Sequence, residues 1–106
     1  MALIHRIFGR REKTLSDLSR HELRKEEVLL SRQRDKLLEK IEQLARQKQA
    51  IFQRGAESKS PELRKALAQD FELRTQEQVQ TGRELNLRGK ELLTVSRLRM
   101  VRETNE

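Results

Sequence analysis

The groups with which this chain could do chemistry are 24 lysines and arginines, 17 carboxylates and two histidines in 106 residues, with no cysteine. His5 and His21 are too far apart to fall in one element, and neither belongs to an HExxH pair or another set spaced to hold a metal. Without cysteine there is no thiolate site and no disulfide framework. The carboxylates have basic neighbours at helical spacing, as Glu22 has Lys25, which marks a solvated charged face rather than a catalytic acid–base pair. The four glycines include no phosphate-cradling loop, since Gly82 and Gly89 stand between helix formers instead of after a strand. The residues therefore predict no catalytic site, no metal, no cofactor and no small-molecule substrate. They read as a non-enzyme.

What remains is charge. The net charge is +7, which favours an acidic partner: an anionic lipid surface, a nucleic acid or an acidic patch on a protein. The excess is uneven. Residues 1–25 carry seven cations against Glu12, Asp17 and Glu22, and residues 83–102 carry six against Glu84 and Glu91. An antiparallel pairing of the two stretches would bring both cationic regions to one end.

The elements that must position these charges are helices. Charged residues are 39% of the chain and aromatics 3%, too few bulky apolar groups for a globular core but a composition that suits long helices in a coiled coil. Ser60-Pro61 is a helix start, a side-chain acceptor at the cap and a proline at the first helical position. Gly55 suits a left-handed helix end. These signals predict a turn over 55–60 between two arms, the first over 14–54 and the second over 61–103, with a frayed tail at 104–106. Thr14 and Asp17 offer a capping box for the first arm. Each arm would span roughly 60 Å at 1.5 Å per residue.

In the first arm Leu23, Leu30, Leu37, Leu44 and Ile51 recur every seven residues, widened by Leu38, Ile41, Ala45 and Phe52. A sustained heptad indicates packing on another helix. Glu27, Arg34 and Lys48 interrupt the stripe. The second arm carries Leu63, Leu67, Phe71, Gln78, Leu85 and Leu92. The matched lengths predict an all-α fold, a long antiparallel two-helix coiled-coil hairpin whose core is Leu30, Leu37, Ile41, Leu44, Ile51, Phe52, Leu63, Leu67, Phe71, Leu85 and Leu92. A second line, Leu73, Leu87, Leu98 and Val101, lies away from that core. With Gly82 and Gly89, which could admit a close neighbour, it predicts self-association into a homo-oligomer or filament. A two-helix hairpin of this size has little core and gains from partners.

Residues 1–13 form a unit of their own, a short amphipathic basic helix. Leu3, Ile4, Ile7 and Phe8 share one arc, flanked by Arg6, Arg10 and Arg11. Such a segment can lie in an anionic membrane interface. It could equally dock on the hairpin or a neighbouring subunit, and its acid-free, Arg-rich start also fits an organellar presequence. No apolar run approaches the length of a membrane span. The expectation is a cytoplasmic protein peripheral to a membrane.

The layout of segment 1–13, first helix 15–54 and second helix 61–102 resembles the ESCRT-III superfamily, which includes the bacterial phage-shock and vesicle-inducing membrane-remodelling proteins. The resemblance implies polymerisation on membranes and their bending or severing. Two other functions fit the residues: a basic hairpin binding nucleic acid or a ribonucleoprotein, and a coiled-coil adaptor or stalk subunit of a larger complex. Against nucleic acid, the chain has no Trp or Tyr, and its three phenylalanines sit on apolar faces, so base stacking is not served.

Overall fold

The computed structural model describes residues 17–105, which form two helices, α1 (Arg20–Glu57) and α2 (Pro61–Asn105), joined by three residues. The fold is all-α, with no strand among the described residues, and the helices pair antiparallel as a hairpin.

Local chemistry explains the boundaries. α1 starts at Arg20, later than the expected 14, because the capping box that forms is Ser19 with Glu22. The Glu22 amide donates to Ser19 Oγ (3.1 Å) and the Ser19 amide donates to Glu22 Oε1 (3.4 Å). Glutamate reaches back to the cap amide more readily than the aspartate at position 17. At the other end α1 runs through Gly55 to Glu57, so Gly55 is not the terminator expected of it. The turn is Ser58, Lys59 and Ser60, held by the Ser58 amide on the Gly55 carbonyl (3.3 Å) and the Ser60 amide on Ser58 Oγ (3.1 Å). α2 begins at Pro61, with Ser60 Oγ accepting from the Leu63 amide at 3.2 Å. It continues to Asn105, so residues 104 and 105 belong to the helix and are not a frayed tail.

The hairpin divides into two compact units. One, called here the open half, holds residues 17–34 and 87–105; the other, the turn half, is Asp35–Asn86. In the open half Leu18, Leu23, Leu30 and Val95 make a buried core, with Leu92 and Leu98 packed against it. Leu23, Leu30 and Val95 are wholly buried. Burial of each stabilises the pairing by about 1.5–3 kcal/mol against an exposed reference.

The turn half is thinner. Leu44 and Leu67 are its buried apolar residues, while Leu37, Ile41, Ile51, Leu63, Phe71 and Leu85 are half-buried. Thr81 is buried too, its hydroxyl donating to the Glu77 carbonyl at 2.8 Å. Polar side chains cross between the helices here. The Lys48 ammonium donates to Gln78 Oε1 (2.9 Å) and stands 4.7 Å from the Phe71 ring centroid, and Gln78 Nε2 donates to the Ile41 carbonyl (3.4 Å). The lysine that interrupts the heptad thus lays its charge against an amide and an aromatic face.

One residue read from the sequence as core turns outward. Phe52 is 67% exposed, and Leu38 and Ala45, read as widening the apolar stripe, are exposed as well. A helix advances 100° per residue, so Ile51, seven positions after Leu44, takes the inward position and rotates Phe52 away from it. Leu98 is the reverse case: it packs on the open-half core and is not a free lateral residue.

Candidate interaction surfaces

In the open half two acidic side chains, Glu27 and Glu103, are drawn into the pairing. Glu27, which interrupts the α1 heptad, accepts from Ser96 Oγ and from Arg99 Nε, the latter at 2.9 Å. Arg99 also donates to Glu103 (2.9 Å), and Glu103 accepts from Arg24. Arg24's hydrogen bond, helped by the charges of Arg24, Arg99 and Arg20, holds the Glu103 carboxyl below the usual carboxylate range, against a smaller desolvation effect. The hydrogen bond to Glu27 likewise raises Arg99. Glu91 is buried and paired with Arg88 at 2.8 Å, and Glu22 serves the helix cap.

With those carboxylates engaged, one face of α1 brings together His21, Arg24, Lys25, Val28, Leu29 and Arg32. No carboxylate lines it. Val28 is 50% exposed and Leu29 39%. The face is therefore cationic around two accessible aliphatic side chains. Sequence reasoning placed the cations at this end but missed Val28 and Leu29, which follow no heptad and show themselves only once the seam through Leu23, Glu27 and Leu30 is fixed.

The candidate membrane residues read from the sequence, Leu3, Ile4, Arg6, Ile7, Phe8, Arg10 and Arg11, all lie outside the described residues. No helix among the described residues is long and apolar enough to cross a membrane. Nor is any group of three or more His, Asp or Glu side chains there placed to hold a metal ion.

The self-association residues separate. Leu73, Leu87 and Val101 are exposed on α2, at 53%, 41% and 57%. Gly82 and Gly89 are half-buried, but a Cβ built on either meets nothing within 4 Å. Neither glycine is required by a close approach from within the hairpin.

The turn half carries a feature the sequence reading did not foresee, an open apolar cleft of about 400 Å³. From α1 it is lined by Ile51, Phe52, Gly55 and Ala56, and from α2 by Leu67, Ala68 and Phe71, with Arg64 as its charged member. A methyl group at position 55 would meet Leu67 Cδ1 at 3.9 Å, ordinary contact, so the approach of Leu67 does not require glycine there. The signal was present as the small residues Gly55, Ala56 and Ala68 beside two phenylalanines, but it was read as a turn and a core.

The two halves also differ in charge. Residues 17–34 and 87–105 hold 10 basic and 6 acidic residues, a net +4, while Asp35–Asn86 holds 10 and 9, a net +1.

No known family, curated protein or solved structure matches this chain.

Proposed function

We infer that this chain is a non-enzymatic helical hairpin that associates with copies of itself on anionic membranes and bends or remodels them, as its resemblance in layout to the ESCRT-III superfamily implies. The observation that carries the reading is the cationic face of α1 in the open half, where His21, Arg24, Lys25 and Arg32 surround exposed Val28 and Leu29. Cations near an anionic lipid surface contribute about 1 kcal/mol apiece, and aliphatic side chains add to that by leaving water. A phosphate backbone would use the cations but gain nothing from the aliphatics. In sequence the face follows closely on residues 1–16, whose spacing reads as an amphipathic basic segment. Self-association is supported by exposed Leu73, Leu87 and Val101. Single anchors of this strength are reversible, and many held in a row bind by avidity.

Co-sedimentation of the full chain with vesicles tests the reading. The chain should pellet with vesicles rich in anionic lipid and not with neutral ones, and Leu3→Asp or Phe8→Asp should abolish pelleting. Unchanged pelleting of those variants, or a preference for RNA or duplex DNA over anionic vesicles at equal salt, would overturn it. Negative-stain images with and without vesicles should show filaments or coated tubules.

A further inference from the structure

We propose that the cleft in the turn half is a self-recognition site, in which the exposed Phe52 ring of a second copy is seated while this chain's Phe52 is seated in that copy. The proposal deepens the self-association read above by naming a contact. It starts from an incongruity: a two-helix hairpin has few apolar groups to bury, yet one of its three phenylalanines is 67% exposed at the edge of an apolar cleft of about 400 Å³. Knob and hole occupy the same patch. Phe52 projects, and Gly55, Ala56 and Ala68 leave the space beside it. A patch that carries both halves of a fit is what a two-fold, isologous contact requires, since each copy gives and receives the same group. Phe71 also lines the cleft and offers an aromatic partner for the incoming ring; offset or edge-to-face aromatic pairs gain beyond their buried area.

Charge favours a copy of the chain over a highly charged occupant. The open half carries a net +4, whereas the turn half, at +1, is close to neutral. Around the cleft both signs are exposed, with Arg54, Lys59, Arg64 and Lys65 among Glu57, Glu62 and Asp70. A second copy presents the same near-neutral mixture and meets no net repulsion there, while a strongly acidic or basic partner gains no net attraction. A small molecule is the poorer fit, because Arg64 is the sole charged lining group and no set of polar groups converges to orient a ligand. The patch is small, so the contact is weak and reversible, suited to linking units within an assembly.

The full-length chain without lipid should show a concentration-dependent monomer–dimer equilibrium in sedimentation velocity across the micromolar range. Phe52→Asp, at an exposed position that leaves the buried core untouched, should weaken dimerisation about thirtyfold or more, as loss of a central interface anchor does. Ala68→Met, which fills the hole, should weaken it while Phe52 remains. The chain contains no cysteine, so Phe52→Cys mixed with Ala68→Cys should give a disulfide-linked heterodimer under mild oxidation, and Glu42→Cys, at an exposed position outside the cleft, mixed with Ala68→Cys should give little. A wild-type chain that stays monomeric, a Phe52→Asp chain that dimerises normally, or equal crosslinking through Glu42→Cys would each overturn the proposal. Vesicle pelleting separates this failure from that of the function reading. Loss of pelleting in Leu3→Asp alongside undisturbed dimerisation in Phe52→Asp sinks the tip contact alone. A wild-type chain that dimerises through Phe52 but ignores anionic vesicles sinks the membrane reading alone.

Discussion

The open half and the turn half are built from the same two helices and the same kind of heptad, yet they solve the pairing problem differently. The open half buries Leu18, Leu23, Leu30 and Val95 and draws Glu27 and Glu103 into hydrogen bonds with arginines, leaving its outer face cationic. The turn half buries only Leu44 and Leu67 among its apolar residues, leaves a cleft and turns a phenylalanine out. Covalent closure accounts for the difference. Near Ser58–Ser60 the loop holds the helices side by side, so little side-chain burial is needed there to keep them together. Toward the free ends no loop helps, and packing and ion pairs must do the holding. Apolar groups that the turn half does not spend on its own pairing are left over for other molecules.

The largest test of that contrast is Leu30→Ala. It should lower stability by about 2–5 kcal/mol, the cost of removing a wholly buried leucine and leaving a cavity. Leu38→Ala, at an exposed position of the turn half, should change it by less than about 0.5 kcal/mol. Urea melts followed by far-UV circular dichroism measure both, and equal effects would break the comparison. Next come the glycines, one in each half. Gly82→Ala and Gly89→Ala should each stabilise by about 0.5–1 kcal/mol, because alanine is the better helix former and its methyl group meets open space. Hydrogen exchange would sharpen the picture by locating the gain, in the turn half for Gly82→Ala and the open half for Gly89→Ala.

The smallest effect is electrostatic. Arg24's hydrogen bond lowers the Glu103 carboxyl in the folded chain, so the folded state binds its proton less readily than the unfolded one. The stabilisation is present above the unfolded carboxylate range, near pH 4.3, and is lost as pH falls through the lower folded value. Glu103→Gln should lose some stability at neutral pH and flatten the acid limb of a pH–stability profile. Both residues are solvent-accessible, so added salt should shrink the difference.

Much of the hairpin was legible because a proline at a helix start and leucines at seven-residue spacing have few other uses. Leu23, Leu30, Leu44 and Leu67 could be read that way. Val95 could not, since Arg88 and Arg99 occupy flanking seam positions and hide the 3–4 spacing that runs through 85, 88, 92, 95 and 99. Ser19-x-x-Glu22 was as visible as Thr14-x-x-Asp17, and its longer acid makes the better box. The candidate surfaces were harder to see. Phe52 and Ile51 are equally apolar neighbours, and which one faces inward depends on the partner helix, which a pattern within one helix does not contain. Val28 and Leu29 become a surface only after Glu27 beside them has found its partners across the pair.

The polar side chains set into the seam act as a ruler. Slide α2 by one heptad so that each of its residues gives way to the one seven earlier, and Glu27, now met by Ser96 and Arg99, would face Gly89 and Leu92, while Lys48 would lose the Gln78 amide to Phe71. Leucines tolerate such a slip, since one leucine is as good as the next. A carboxylate or ammonium stranded against hydrocarbon does not. The same interruptions that weaken the zipper therefore tell the second helix where to stop, fixing the length of the turn and, with it, which residues reach the tip.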